Sequence, residues 1–223
     1  MRIGASTELK KIMSDDDLAE IIDVNKESLG AARPLAELLD DLKHFENYVG
    51  AENSHLIISA LKSNSFFYKN IGAAWTIHYM RNNADEFTNA TLIFEEAVNG
   101  GERYIDLVKK VGNRKTLYEF KSVQTIPPGR FIEQFTADLA NSDVTDLGQL
   151  RWVFEQSKIA GQDLKTALLN ELKSTKGREG LMGVGATKAK QLFPLDELMD
   201  DNNFVERIIS NMSKDEYFNL IFK

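Results

Sequence analysis

At 223 residues the chain can hold one large domain or a domain with an appendage, and its 43% hydrophobic content with 27% charged residues excludes a disordered polymer. The absence of cysteine excludes disulfides, thiolate nucleophiles and cysteine-held zinc. No apolar run approaches the ~18 residues that span a bilayer, and the opening Met1-Arg2-Ile3-Gly4-Ala5-Ser6 lacks the apolar core of a signal peptide, so no membrane partner is expected.

The net charge of −7 argues against a polyanionic ligand until its distribution is read. Residues 1–102 carry 9 Lys and Arg against 17 Asp and Glu, residues 103–190 carry 15 against 10, and residues 191–223 carry 3 against 7. Phosphate binding responds to the local field, so a basic middle between acidic flanks leaves nucleic acid open as a partner.

In chain order, residues 1–83 read as a helical N-terminal region. Leu9, Ile12, Leu18, Ile21 and Ile22 recur at helical spacing. Asp15-Asp16-Asp17 fits a first helical turn, where the helix dipole favours acids. Pro34 opens a second helix through Leu35, Leu38, Leu39 and Leu42, and stretches 54–68 and 73–80 continue the pattern. His44, His55 and His78 fall on separate segments without metal-ligand spacing. Residues 84–98 read as a further amphipathic helix, with Phe87, Ala90, Phe94 and Val98 on its apolar face.

The texture then changes. Arg103 to Val111 and Thr116 to Val123 are runs of β-formers around Gly112-Asn113-Arg114-Lys115, a hairpin signature. Pro127-Pro128-Gly129 is a turn, Arg130 to Leu139 a helix, Leu150 to Phe154 a third strand and Asp163 to Leu172 a helix. A Gly-rich basic segment, 177–185, precedes helical stretches to the C-terminus. The fold class is α/β (α+β), with a small mixed central sheet flanked by helices, divided as 1–83 and 84–223.

The chemistry concentrates in the hairpin. On a strand, Glu119 and Lys121 face one way and Tyr118 and Phe120 the other. Asp106 lies on the neighbouring strand, so two carboxylates and an ammonium are placed to converge at one end of the sheet. Phosphodiester hydrolysis wants that set, because carboxylates hold a hard cation and a lysine orients the attacking water or stabilises the phosphoryl oxygens. A solvated Glu–Lys pair on a hairpin is the plainer reading of the same residues.

The pattern Asp106, then Glu119-Phe120-Lys121, resembles the PD-(D/E)xK nuclease superfamily, the restriction-endonuclease-like fold. The resemblance covers about residues 85–155, and Ile105 stands where the family's proline usually precedes the first aspartate. It implies an Mg²⁺- or Mn²⁺-dependent endonuclease, with Asp106 and Glu119 as metal ligands and Lys121 as the water-positioning residue. It also implies a further acidic ligand from a preceding helix, Glu95 ahead of Glu96, and a glutamine from the following helix, Gln134, with Gln124 as the other candidate. Residues 181–192 are similar to the Gly-apolar-Gly hairpin of helix-hairpin-helix DNA-binding modules. That likeness implies backbone contacts to phosphate at Gly183 and Gly185, reinforced by Lys188 and Lys190. A flexible Gly-rich loop before a helix fits the segment as well.

A nuclease core with a helical region attached resembles the toxin domain of a bacterial contact-dependent or polymorphic toxin. This implies delivery from another cell as part of a larger secreted protein, action in the target cytoplasm and a cognate immunity protein. DNA is favoured over RNA because of the likeness of residues 181–192 to a phosphate-binding hairpin. A stand-alone restriction or repair nuclease, a tRNA-cleaving toxin and a non-catalytic binding or immunity-type protein are the alternatives.

Overall fold

Ser14 and Asp17 close the first long helix by reciprocal capping: Ser14 N donates to Asp17 Oδ2 at 2.7 Å and Asp17 N to Ser14 Oγ at 3.0 Å. They do so in a computed structural model that describes residues 6–28, 34–63, 67–98, 101, 103–155, 158–159 and 161–223. The helix is α1 (Asp15–Ser28), followed by α2 (Leu35–Phe45), α3 (Ser54–Leu61) and α4 (Phe67–Asn82). These four pack together, with Leu18, Ile21, Leu38, Leu42, Leu61 and Ile77 in their core. Buried Asn25 and Asn70 both donate to the Leu61 carbonyl, at 3.0 and 2.8 Å, satisfying the end of α3.

The expected helix over 84–98 is not formed. A short α5 (Ala84–Phe87) ends, Asn89 turns the chain at φ 58°, and Thr91–Val98 is a strand, β1. The apolar residues at helical spacing there coincide with a contiguous triple, Leu92-Ile93-Phe94, all of it buried. Such a triple suits a strand covered on both faces, and the β-branched and aromatic residues favour it.

The remaining strands are β2 (Arg103–Val111), β3 (Arg114–Lys121) and β4 (Leu150–Phe154), giving one four-stranded mixed sheet in the order β1-β2-β3-β4. Only Gly112, at φ 58°, and Asn113 separate β2 from β3, so that pair is antiparallel. Strands β3 and β4 are parallel, with Glu119 opposite Trp152 and Lys121 opposite Phe154, and α6 (Arg130–Ala140) lies in the crossover between them. Both outer edges are covered. Phe94 N donates to Glu52 O at 3.0 Å beside β1, and Phe154 N donates to Lys223 O at 2.8 Å beside β4.

The chain divides into two compact units, Met1–Ala97 with Tyr104–Arg114, and Val98–Arg103 with Lys115–Lys223. In the second, Phe131 and Phe135 of α6 meet the Trp152 ring edge-on at 4.9 and 5.7 Å between centroids. Then come α7 (Gly161–Lys173), α8 (Thr175–Val184), α9 (Ala186–Leu192), α10 (Phe204–Met212) and α11 (Asp215–Ile221). The Gly-rich segment is thus mostly helix α8, not a loop. Two of its glycines serve packing: a Cβ on Gly177 would stand 2.2 Å from the Glu171 carbonyl oxygen, and one on Gly180 would stand 2.9 Å from Thr136 Oγ1 on α6. Among the described residues no helix is long and apolar enough to cross a membrane.

Candidate active site

Alternation along β3 buries Tyr118 and Phe120 on one face and turns Glu119 and Lys121 to the other. There α6 presents Gln134 and, one turn later, Asp138, at the i,i+4 spacing that puts both on one side of a helix. Lys121 Nζ donates to Glu119 Oε2 at 2.9 Å and to Gln134 Oε1 at 3.1 Å, and it stands 4.9 Å from the centre of the Trp152 ring. The lysine of the Glu-x-Lys element is therefore held from two sides, over an aromatic face that favours a cation.

A second cation completes the cluster. Arg103, the first residue of β2, grips Asp138 with two hydrogen bonds, Nε to Oδ1 at 2.8 Å and Nη2 to Oδ2 at 3.1 Å. Its Nη2 also lies 2.9 Å from Glu119 Oε1. That contact is an ion pair by distance, but the N–H is not aimed at the oxygen, and the buried Oε1 accepts no hydrogen bond. Distance fixes the coulombic attraction and direction fixes the hydrogen bond, so Arg103 holds Asp138 by both and Glu119 mainly by the first. The Trp152 indole N–H fixes the far side of Asp138, donating to Oδ2 at 3.1 Å. The result is a ladder of alternating charge, Lys121–Glu119–Arg103–Asp138.

The electrostatics follow from burial. Glu119 is 2% and Asp138 1% exposed. Burial first, then the charge of Glu119, push the Asp138 carboxyl up to about 6, against the pull of Arg103 and Lys121. Burial also works against the Arg103 guanidinium, but the Asp138 hydrogen bonds and the two carboxylate charges outweigh it and raise its pKa.

Of the residues expected from sequence, Glu119, Lys121 and Gln134 come together here, and Gln124 is exposed on the connection after β3. Asp106 lies half-buried on β2 in the first unit, between fully buried Ile105 and Leu107. Alternation gives Asp106 the face of Tyr104 and Val108, and gives Arg103 the face of Ile105 and Leu107. The β2 side chain that meets Glu119 is Arg103. Glu95 and Glu96 also belong to the first unit, and they sit on strand β1, where a helix was expected. Glu95 has a left-handed backbone, φ 49°, which breaks strand alternation in the manner of a bulge. Among the described residues, no three of His, Asp and Glu are grouped to hold a metal.

The expected nucleic-acid contacts are dispersed. Gly183 is inside α8, and Gly185, at φ 82°, joins α8 to α9 with its N–H donated to Met182 O at 3.2 Å. Lys188 Nζ donates to the carbonyls of Asn141, at 2.7 Å, and Val144, and burial lowers its pKa. Lys190 pairs with Asp201 at 2.7 Å on the exposed surface.

Sequence reading missed Arg103, Asp138 and Trp152. The available signal was weak: Asp138 stands one helical turn after Gln134, and Arg103 opens the basic middle of the chain. Comparison with known proteins adds nothing, since no family model, curated protein or solved structure matches the chain.

Proposed function

We propose that this chain is a divalent-metal-dependent nuclease of the PD-(D/E)xK, restriction-endonuclease-like class. The observation that carries the reading is the Lys121 ammonium held between Glu119 and Gln134, which joins the Glu-x-Lys element to the glutamine of the following helix. The small mixed sheet, with a helix crossing from β3 to β4, supports the fold assignment.

The residues fit a hard cation on one structural ground: Glu119 Oε1 is a buried carboxylate oxygen that accepts no hydrogen bond. Mg²⁺ needs only one or two protein carboxylates beside substrate phosphate oxygens and water. When bound, Mg²⁺ or Mn²⁺ supplies charge neutralisation at the phosphate and acidifies water. Glu119 would hold it; Asp106, the other ligand that the resemblance implies, takes the opposite face of β2 from Arg103 and is left out of the proposed site. Lys121, fixed by Gln134 and the Trp152 face, orients the attacking water or stabilises the phosphoryl oxygens.

The substrate is DNA in this reading, and the biological role is that of a bacterial contact-dependent or polymorphic toxin domain acting in the target cytoplasm. The basic balance of residues 103–190 supports a polyanionic substrate, and an immunity protein would be acidic where it covers that region. The deep burial of Glu119 favours a second reading, a non-catalytic binding protein whose charged ladder is structural.

One experiment separates the two. Supercoiled DNA, linear DNA and total tRNA are each incubated with the protein in Mg²⁺ and in a chelator. The nuclease reading expects cleavage in Mg²⁺ alone, abolished in folded Glu119→Gln and Lys121→Ala. Cleavage by both variants at the wild-type rate removes the assignment, and no cleavage of any substrate favours the binding protein.

A further inference from the structure

We infer that Arg103 is a positioning residue that stands in for a divalent cation at Glu119: its guanidinium is anchored on Asp138 and balances the Glu119 carboxylate until metal arrives. The inference rests on the nuclease reading.

The two acids hold Arg103 unequally. Asp138 receives the full fork, at 2.8 and 3.1 Å, whereas Glu119 Oε1 receives only proximity, at 2.9 Å without a directed N–H. The planar fork meets Asp138 at two points and leaves Nη2 beside the second acid. Asp138 cannot follow Glu119 if that carboxylate shifts. The indole N–H of Trp152 ties it back at 3.1 Å, and the Trp152 ring is wedged against Phe131 and Phe135. Glu119 Oε2, for its part, is occupied by Lys121 at 2.9 Å. Oε1 is thus the oxygen that a cation would claim, and Arg103 is what stands there now.

A buried carboxylate without a counter-charge is costly, so a metal site that must persist without metal needs a substitute cation. Arg103 meets that need and competes with the metal as a like charge a few ångströms away. The anchor sets the strength of the competition. With Asp138 charged, the guanidinium leans toward α6; with that charge removed, it turns wholly to Glu119.

Opposite effects follow for two variants. Mn²⁺ is titrated calorimetrically into the whole chain without substrate, and its effect on Tm is measured in parallel. In Arg103→Gln, Mn²⁺ binds about tenfold tighter or more, and the Mn²⁺-induced rise in Tm grows, although the metal-free protein melts lower. In Asp138→Asn, Mn²⁺ binds severalfold more weakly. If Arg103→Gln does not fold, Asp138→Asn decides alone: weaker binding supports the inference, and equal or tighter binding overturns it. Wild-type affinity in both variants means that Arg103 is only structural, with the nuclease reading intact. Absence of Mn²⁺ binding by the wild type, with Mg²⁺-independent behaviour throughout, removes both.

Discussion

Asp41 in the first unit and Glu119 in the second are buried acids beside cations, and they differ in how completely each is satisfied. In the first unit Asp41, 0% exposed, accepts from His78 Nδ1 at 3.0 Å on one oxygen and from Arg81 Nη1 at 3.0 Å on the other. One acid with both oxygens engaged ties α2 to α4 and leaves nothing over. In the second unit two acids share Arg103, Glu119 Oε1 accepts no hydrogen bond, and Asp138 is pushed up to about 6. Closed networks of the first kind rigidify a core, whereas a buried acid left with an unbonded oxygen, as Glu119 is, marks a candidate place for chemistry.

The comparison breaks first on activity. Glu119→Gln and Lys121→Ala should each lower Mg²⁺-dependent cleavage by about a thousandfold, the scale of losing a metal ligand or a charge-stabilising donor. Asp41→Ala should instead leave the cleavage rate of the folded fraction unchanged and cost about 1–3 kcal/mol of stability, because His78 and the part-exposed Arg81 lose their buried acceptor. Denaturant titration against a cleavage assay separates the two effects. Equal activity loss at both sites would mean that both acids serve only the fold.

The pH dependence of stability sharpens the contrast. Asp138 holds its proton more tightly in the folded chain than its ordinary value of 3.8, so its contribution is fully present below that value and is lost as pH rises through about 6. Asp138→Asn should flatten that part of the curve in chemical denaturation, and an unchanged slope would show that Asp138 ionises normally.

A smaller effect concerns packing. Gly177→Ala should cost about 2 kcal/mol, since the new methyl meets the Glu171 carbonyl at the α7–α8 junction. Thermal melting reads it, and a wild-type Tm would mean that the junction relaxes freely.

The hairpin, β4 and α6 were legible in the sequence because alternation, a Gly-Asn turn and a helical stripe are local signals. Glu119 and Lys121 followed from them, and Gln134 from the family resemblance. Residues 84–98 were misread because Phe87, Ala90, Phe94 and Val98 fit a helical period by coincidence, while sheet pairing, a tertiary fact, decided for the strand. Arg103 escaped because its parity on β2 matters only once its contact with Glu119 is known. The glycines of α8 read as a loop because propensity does not register that Gly177 and Gly180 are needed for close helix approach.

The most direct test of the account is metal binding and cleavage measured on one preparation of folded Glu119→Gln beside wild type. The account predicts that wild type binds Mn²⁺ and nicks supercoiled DNA in Mg²⁺, and that the variant does neither while melting cooperatively. A Glu119→Gln protein that still binds the ion and still cuts would contradict it.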